Sequence, residues 1–325
     1  MAVRFDKGIV VDGRIVLDKT AKHAVETAFI THAHADHVNL AGDSEVIASK
    51  ETIELIKAIY GKEKKFVQFD GEKEIKGFNV STYEAGHMLG AKQILLEKNN
   101  ERILYTGDLN TQGSIIDKKA EVVEADTLII EATYGMKQYD FPKREVVYNQ
   151  ITEWVEKQIN DGTLVIMPCY NVGKTQELTA LASQLKPKLM VHEKLFKMNK
   201  IYENLGTKLG NYELMNGNLE NADVALIPYG LVNKSISIIL EKSLKRKVLI
   251  CTASGFNNRG ADKSFSLSSH SDFKELMEFA EKVKPKKVFT VYGHARELAF
   301  SIKRKLGISA VALKQGGFQS DLNHF

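Results

Sequence analysis

The chain has 325 residues, 43% of them hydrophobic, which is enough to bury a sizeable core as one large domain or two. Its 45 Lys and Arg against 41 Asp and Glu leave a net charge of +4, compatible with a polyanionic substrate without demanding one. The two cysteines, Cys169 and Cys251, exclude a disulfide framework or zinc-finger spacing; with no signal-peptide pattern and no apolar run near ~18 residues, the expectation is a soluble cytoplasmic protein with no membrane partner.

In chain order, Gly8 to Val11 and Arg14 to Leu17 are apolar runs flanking Asp12-Gly13, a hairpin signal. The run Ala28-Phe29-Ile30 then leads into Thr31-His32-Ala33-His34-Ala35-Asp36-His37. In an extended segment His32 and His34 point to the same side. A following helical turn would bring Asp36 and His37 back toward the same point. Imidazole and carboxylate suit zinc, and two histidines plus a carboxylate with an open position make a hydrolytic site rather than a sealed structural one.

This His-x-His-x-Asp-His pattern resembles the metallo-β-lactamase superfamily of di-metal hydrolases. The resemblance implies an α/β fold, two β-sheets face to face between outer helices (αββα), with further ligands at strand ends downstream. Ser44 to Gly61 has apolar residues at helical spacing and reads as a helix. The Lys-rich runs at 62–65, 284–287 and 303–305 read as solvated faces. Phe78, Val80 and Thr82 alternate as in a strand, after which Gly86 and Gly90 bracket His87 where the superfamily puts its third ligand. Arg102 to Tyr105 is a strand leading to Thr106-Gly107-Asp108, and the resemblance makes Asp108 the carboxylate that bridges two metals. The implied sets are His32, His34, His87 and Asp108 on one zinc, and Asp36, His37, Asp108 and a later histidine on the other.

Another buried strand, Leu128-Ile129-Ile130-Glu131, ends in an acid and continues as Ala132-Thr133-Tyr134-Gly135. With Tyr105 to Asp108, it closely resembles the β-CASP nucleases of that superfamily, most of all the RNA 3′-end endonuclease and archaeal members. That group usually has Ser at the position of Ala132. The resemblance implies a metallo-β-lactamase domain made of residues 1–135 and 263–325, interrupted by a β-CASP domain at 136–262. Within the insert, Lys143 to Asn160 places Val147, Ile151, Trp154, Val155 and Ile159 on one helical face. Gly173-Lys174-Thr175 is no P-loop, since Pro168 stands where the first glycine is needed. It resembles the β-CASP segment Gly-[Arg/Lys]-x-Gln-Glu at a helix start, which would either meet a phosphate or be an ordinary helix N-terminus. Residues 185 to 245 are less readable; Leu189 to Val191 and Val224 to Pro228 are strand candidates, His192 reads as structural, and Lys247 to Cys251 is a clear strand.

Ser268-Ser269-His270-Ser271-Asp272 precedes a helix, Phe273 to Val283, and the strand Lys287 to Tyr292 delivers Gly293-His294. The first run matches the β-CASP signature centred on a histidine that binds no metal, although Asp272 would serve equally as an N-cap. His294 matches the final zinc ligand; many members have glycine after that histidine, whereas here Gly293 precedes it. The resemblance thus implies an enzyme with two zinc ions per chain, hydrolysing phosphodiester bonds of single-stranded RNA, or of DNA. Asp36 and Asp108 would hold the attacking water and take its proton, His270 would serve the phosphate or the leaving oxygen, and Glu131 would orient His270. The alternatives are a DNA exonuclease of the same branch, a thioesterase or lactonase of the superfamily, and a non-catalytic scaffold paralogue. A homodimer is compatible with all of them.

Overall fold

The computed structural model of the protein describes residues 1–19, 27–38, 45–61, 65–255, 260–314 and 318–319. Two compact units make up the chain: Met1–Gly113, Lys118–Asp140 and His270–Phe325 form the first, Ser114–Asp117 and Phe141–Ser269 the second.

The first unit opens with β1 (Val3–Asp6), β2 (Gly8–Val11), β3 (Ile15–Leu17), β4 (Thr27–Phe29), β5 (Glu45–Ala48), α1 (Lys50–Tyr60) and β6 (Phe66–Gln68). It continues with β7 (Glu72–Ile75), β8 (Phe78–Glu84), β9 (Lys92–Lys98), β10 (Glu101–Tyr105) and β11 (Thr127–Glu131). The second unit carries α2 (Arg144–Asn160), β12 (Leu164–Cys169), α3 (Lys174–Ser183), β13 (Leu189–Val191), α4 (Glu193–Asn204) and β14 (Glu213–Leu214). It ends with β15 (Val224–Pro228), α5 (Lys234–Leu244), β16 (Val248–Ser254) and β17 (Lys263–Ser266). The chain returns to the first unit through α6 (Phe273–Val283), β18 (Lys287–Val291), α7 (Ala295–Leu306), β19 (Ser309–Ala312) and β20 (Phe318–Gln319).

Two seven-stranded sheets build the first unit, in the orders β20-β1-β2-β3-β4-β5-β6 and β19-β18-β11-β10-β9-β8-β7. Side-chain alternation assigns their faces. On β10, Ile103 and Tyr105 join Val11, Leu17, Phe29 and Ile47 of the first sheet in one shared core. Leu104 points the other way, and with Leu128, Ile130 and Val288 packs against Leu276 and Phe279 of α6 and Leu298 and Ile302 of α7. Strands covered on both faces need apolar residues at every position, which is why Leu128-Ile129-Ile130 shows no alternation. With α1 beside β6, the layers form the αββα sandwich of the metallo-β-lactamase fold. Strands β10, β11 and β18 run parallel, and β8 points the same way because β9 is antiparallel to both β8 and β10. In the first sheet β3 and β4 are also parallel. The C-terminal ends of these strands lead to the candidate site.

One expectation needs correcting. The segment read as a helix from Ser44 begins instead with β5, whose Val46, Ile47 and Ala48 are buried in the first sheet; only at Ser49, whose hydroxyl caps Thr52 N at 3.1 Å, does α1 start. A β-branched apolar pair joined directly to an amphipathic helix gives no break in spacing at the junction. Of the Lys-rich runs, Lys284, Lys286, Lys303 and Lys305 are exposed, while 62–64 lies outside the described residues.

In the second unit every strand pair is parallel, in the order β14-β13-β15-β12-β16-β17. Val165 and Met167 pack on Val147, Ile151 and Val155 of α2 and Leu178 of α3. The start of α3 turns its polar side chains inward. Gln176 accepts from Gly173 N at 2.7 Å and donates to Asn199 Oδ1 at 2.9 Å. Glu177 accepts from Lys174 Nζ at 2.8 Å, Arg144 Nε at 2.9 Å and Tyr148 OH at 2.5 Å. The lysine of this segment is therefore committed to a buried carboxylate. His192 caps α4, accepting from Lys194 N at 3.2 Å. Cys169 and Cys251 are free and buried, and burial pushes both thiols up to about 12. Among the described residues no helix is long and apolar enough to cross a membrane.

Candidate active site

The ligand-type side chains converge at one pole of the first unit. After β4 the backbone leaves the sheet at Ile30 and makes a tight turn, with His37 N and Val38 N both donating to His34 O. That turn brings Asp36 and His37 back beside His32, whose ring lies 4.2 Å from that of His37. Strand β8 ends in the turn that presents His87, and β10 runs into Gly107-Asp108. Gly107 has φ +55, and a Cβ there would sit 2.8 Å from Thr31 Oγ1, so this approach of the two loops requires glycine.

Nitrogens of His32, His34 and His87 and an oxygen of Asp108 all lie within 4.8 Å of one another. Asp108 Oδ2 is 3.4 Å from His32 Nε2 and 3.5 Å from His87 Nε2, and His34 Nδ1 is 3.0 Å from His87 Nε2. The other oxygen, Oδ1, is 3.3 Å from His37 Nε2, which in turn is 3.6 Å from Asp36 Oδ2. Asp36 is exposed, whereas His32, His37, His87 and Asp108 are buried.

The residue that orders this arrangement was not singled out in the sequence. Asp18, fully buried at the end of β3, accepts from Thr31 N at 2.7 Å, Tyr105 OH at 2.8 Å and Thr31 Oγ1 at 2.8 Å. Its Oδ2 is also 2.7 Å from His37 Nδ1; a carboxylate only accepts, so Nδ1 carries a proton and the ring's Nε2 end faces Asp108. Thr31, having donated its hydroxyl proton to Asp18, accepts from His32 Nδ1 at 3.0 Å, which turns the His32 lone pair the same way. His32 Nε2 is buried with no hydrogen-bond partner among the described residues. A buried imidazole nitrogen left without a hydrogen-bond partner, beside two further imidazoles and a carboxylate, fits a divalent metal of the zinc type. The signal was available in Leu17-Asp18, an acid closing an apolar strand as Asp108 and Glu131 do, but such acids are often only turn formers.

The electrostatics agree with that fit. Burial and the neighbouring His270 hold the His87 pKa well below the usual value, so its imidazole is neutral, as a ligand must be. Asp108 stays ionised despite burial because His37, His270 and His32 surround it. Burial opposes a charge on His37, yet Asp108 and Asp18 outweigh it and raise its pKa well above 6.5.

His270 stands apart. Its Nδ1 is 2.9 Å from Glu131 Oε1, and its Nε2 is 3.8 Å from Asp108 Oδ2. Glu131, fully buried at the end of β11, also accepts from Thr133 N at 2.8 Å and Leu109 N at 3.2 Å. Burial disfavours a charged His270, but the Glu131 carboxylate and then Asp108 prevail and place its pKa at about 9. Asp272 is the N-cap of α6 in a capping box with Glu275, which fixes the loop that carries His270. His294 occupies the N-cap position of α7 without a side-chain capping bond, and its ring lies 5.4 Å from Tyr139; it is not among the close ligand groups of the described residues.

A family model described as Zn-dependent metallo-hydrolase RNA specificity domain matches residues 262–313. The chain is 27% identical over 295 residues to a protein named Probable DNA ligase from Opitutus terrae, covering 88% of this chain and 28% of that one. It is 29% identical over 202 residues to the RNase J-like protein of Methanocaldococcus jannaschii, covering 51% and 48%. With RNase aCSPSF2 of Saccharolobus solfataricus it shares 25% identity over 298 residues, covering 77% and 60%. The chain thus spans less than two thirds of each of these relatives' own length. Taken with the αββα sandwich and the His-Asp pole, these similarities support the resemblance to the β-CASP nucleases of the metallo-β-lactamase superfamily.

Proposed function

We propose that the chain is a two-zinc nuclease that hydrolyses phosphodiester bonds of single-stranded nucleic acid, RNA in preference to DNA. The observation that carries this reading is His270, fastened to Glu131 through one nitrogen and directed at Asp108 through the other. A thioesterase or lactonase needs the metal ligands but has no use for a cationic imidazole beside them. Two zinc ions are supported by Asp108, whose Oδ2 faces His32 and His87 while its Oδ1 faces His37.

His32, His34, His87 and Asp108 would hold one ion, with Asp36, His37, Asp108 and His294 assigned to the other. When bound, zinc supplies Lewis acidity toward water and toward the phosphoryl oxygens. The chain's own groups do the rest. Asp36, exposed at the rim, accepts the proton that the attacking water loses. Glu131 keeps the His270 imidazole charged at neutral pH, so that Nε2–H donates to the phosphate and then to the ester oxygen that departs. Thr133 N and Leu109 N hold Glu131 in place, so the proton donor is fixed before substrate arrives.

End-labelled RNA and DNA oligonucleotides with free and blocked 5′ ends, incubated with zinc-loaded protein, test this directly. RNA should be cut faster than DNA, and unpaired strands faster than duplex. Efficient thioester hydrolysis without cleavage of either nucleic acid would overturn the reading. A DNA-directed activity is favoured by one observation, the 88% of the chain that aligns with the Opitutus protein named Probable DNA ligase; faster cutting of DNA would select it.

A further inference from the structure

The first unit carries an open groove of about 610 Å³ between the Gly135–Lys137 loop and α7. Arg296, Phe300 and Arg304 line it at four-residue intervals, a spacing that puts all three on one stripe of the helix. The inward face of α7 is supplied by Leu298, Ala299 and Ile302, so the stripe faces solvent, and Phe300 is 64% exposed. A single exposed aromatic is ordinary on a protein surface. Here it lies between two arginines, with Lys137 and Lys305 also on the groove and Glu297 the one carboxylate among the lining residues. Among the described residues no ion pair engages Lys137, Arg296, Arg304 or Lys305.

The groove begins near the C-terminal ends of β11 and β18, the strands that lead to Glu131 and into α7. A Cβ added to Gly135 would lie 2.9 Å from the His294 carbonyl oxygen, and α7 begins at the next residue. Ten residues of helix from His294 to Arg304 span ~15 Å, so the stripe leads away from the site along the helix axis. Guanidinium groups that flank a flat apolar ring match a chain of phosphates interleaved with base faces. A duplex hides those faces; an unpaired strand offers them.

Building on the nucleic-acid reading of the site, we propose that this groove seats the single-stranded RNA next to the scissile bond. One base stacks on Phe300, and Arg296 and Arg304 hold the phosphates on either side of it.

The test measures binding of fluorescein-labelled single-stranded RNA by anisotropy as a function of salt, using the full chain, with single-stranded DNA and duplex RNA as parallel probes. Phe300→Ala should weaken RNA binding about 5- to 150-fold, the range for losing one stacked base, and Phe300→Trp should restore it. Arg296→Ala with Arg304→Ala should lower the slope of log affinity against log salt by about 1.4, as two lost single-strand phosphate contacts require. Lys242→Ala with Lys245→Ala, removing the same charge from the exposed end of α5, is the control for net charge. All the changed side chains are exposed, so circular dichroism should report an intact fold. Equal binding by wild type and the α7 variants, or equal losses in the Lys242 and Lys245 control, would overturn the groove while leaving the nuclease reading intact. Failure of the wild type to bind or cut any single strand would instead remove the nuclease reading itself.

Discussion

Asp18→Asn is the most informative single change in the ligand pole, because it alters no proposed ligand and almost no volume. The carboxylate accepts from Thr31 N, Thr31 Oγ1, Tyr105 OH and His37 Nδ1, all within 2.7 to 2.9 Å. An asparagine side chain has one acceptor oxygen, so at least one of its oxygens' worth of donors would face an NH2 group in a fully buried site. Hydrogen bonds to a charged group contribute about 1.5–3 kcal/mol each, and removing one partner of a buried ion pair costs about 3–5 kcal/mol. We therefore expect the first unit to lose about 3 kcal/mol. The larger consequence is orientational: His37 loses the acceptor that fixes its tautomer, and Thr31 loses the acceptor that lets it receive from His32. Zinc affinity should fall about 10- to 100-fold, the usual scale for an outer partner of a metal-binding histidine. Competition with a chromophoric chelator measures it, alongside denaturant unfolding of the zinc-free protein. Affinity within twofold of wild type, with stability unchanged, would refute the role assigned to Asp18.

The other predictions concern the acid, the metal count and the second unit. His270→Ala should retain zinc and fold while cleaving on the order of a hundredfold or more slowly, and Glu131→Gln should act in the same direction less severely; zinc loss in His270→Ala, seen by elemental analysis, would make it a ligand instead. Protein loaded with excess zinc and then desalted should hold two ions per chain. Binding should tighten as pH rises through the neutral range, because zinc must displace the proton that Asp108 and Asp18 hold on His37; isothermal titration at several pH values checks both points. In the second unit Glu177 is held at about 2, since Lys174 and then Arg144 outweigh the burial that would raise it. Lys174 moves down to about 8, so the pair looks favourable from the acid and unfavourable from the base. The acid is the better guide, because arginine and tyrosine donors reinforce it. A carboxyl depressed on folding stabilises above its unfolded pKa, so about 3 kcal/mol should be lost as pH falls from about 4.5 toward 2. Trp154, the single tryptophan, packs on Phe265 in this unit and reports the transition; Glu177→Gln should flatten its acid limb.

What could be read from the sequence followed from how many physical signals agreed at each place. Helix α6 was legible to the residue because Asp272 and Glu275 form its capping box and Phe273, Leu276, Met277, Ala280 and Val283 repeat at helical spacing on the buried side. Helix α5 was not, because its isoleucines are not its core face: Ile236, Ile238 and Ile239 are exposed, and its one buried residue is Ser237. Helix α4 hid for a related reason. One of its buried positions is Asn199, which looks like a loop residue until its bonds to Gln176 and Thr179 are known. At the ligand pole, His32, His34 and His37 were conspicuous as a run. Asp18 is separated from them by sequence and joined to them only by the parallel pairing of β3 with β4, which no local pattern reveals.

That pairing points to the logic of the site as a whole. Three strands end in buried carboxylates, and each carboxylate governs different histidines: Asp18 holds His37, Asp108 faces His32, His87 and His37, and Glu131 holds His270. Burying three acids is costly unless donors meet them. Here donors are loop amides at the strand ends: Thr31 N, after the neighbouring β4, for Asp18, and for Glu131 both Leu109 N, after the neighbouring β10, and Thr133 N of its own loop. The sheet therefore fixes the acids and the acids fix the rings. Four imidazoles packed within about 5 Å of their neighbours would repel one another if all were protonated. The carboxylates resolve this by setting the rings apart: His87, against no carboxylate but Asp108, stays neutral, whereas His37 between Asp18 and Asp108, and His270 on Glu131, are drawn toward the charged form. A change at any of the three acids should thus alter the division of labour among the histidines before it alters the fold.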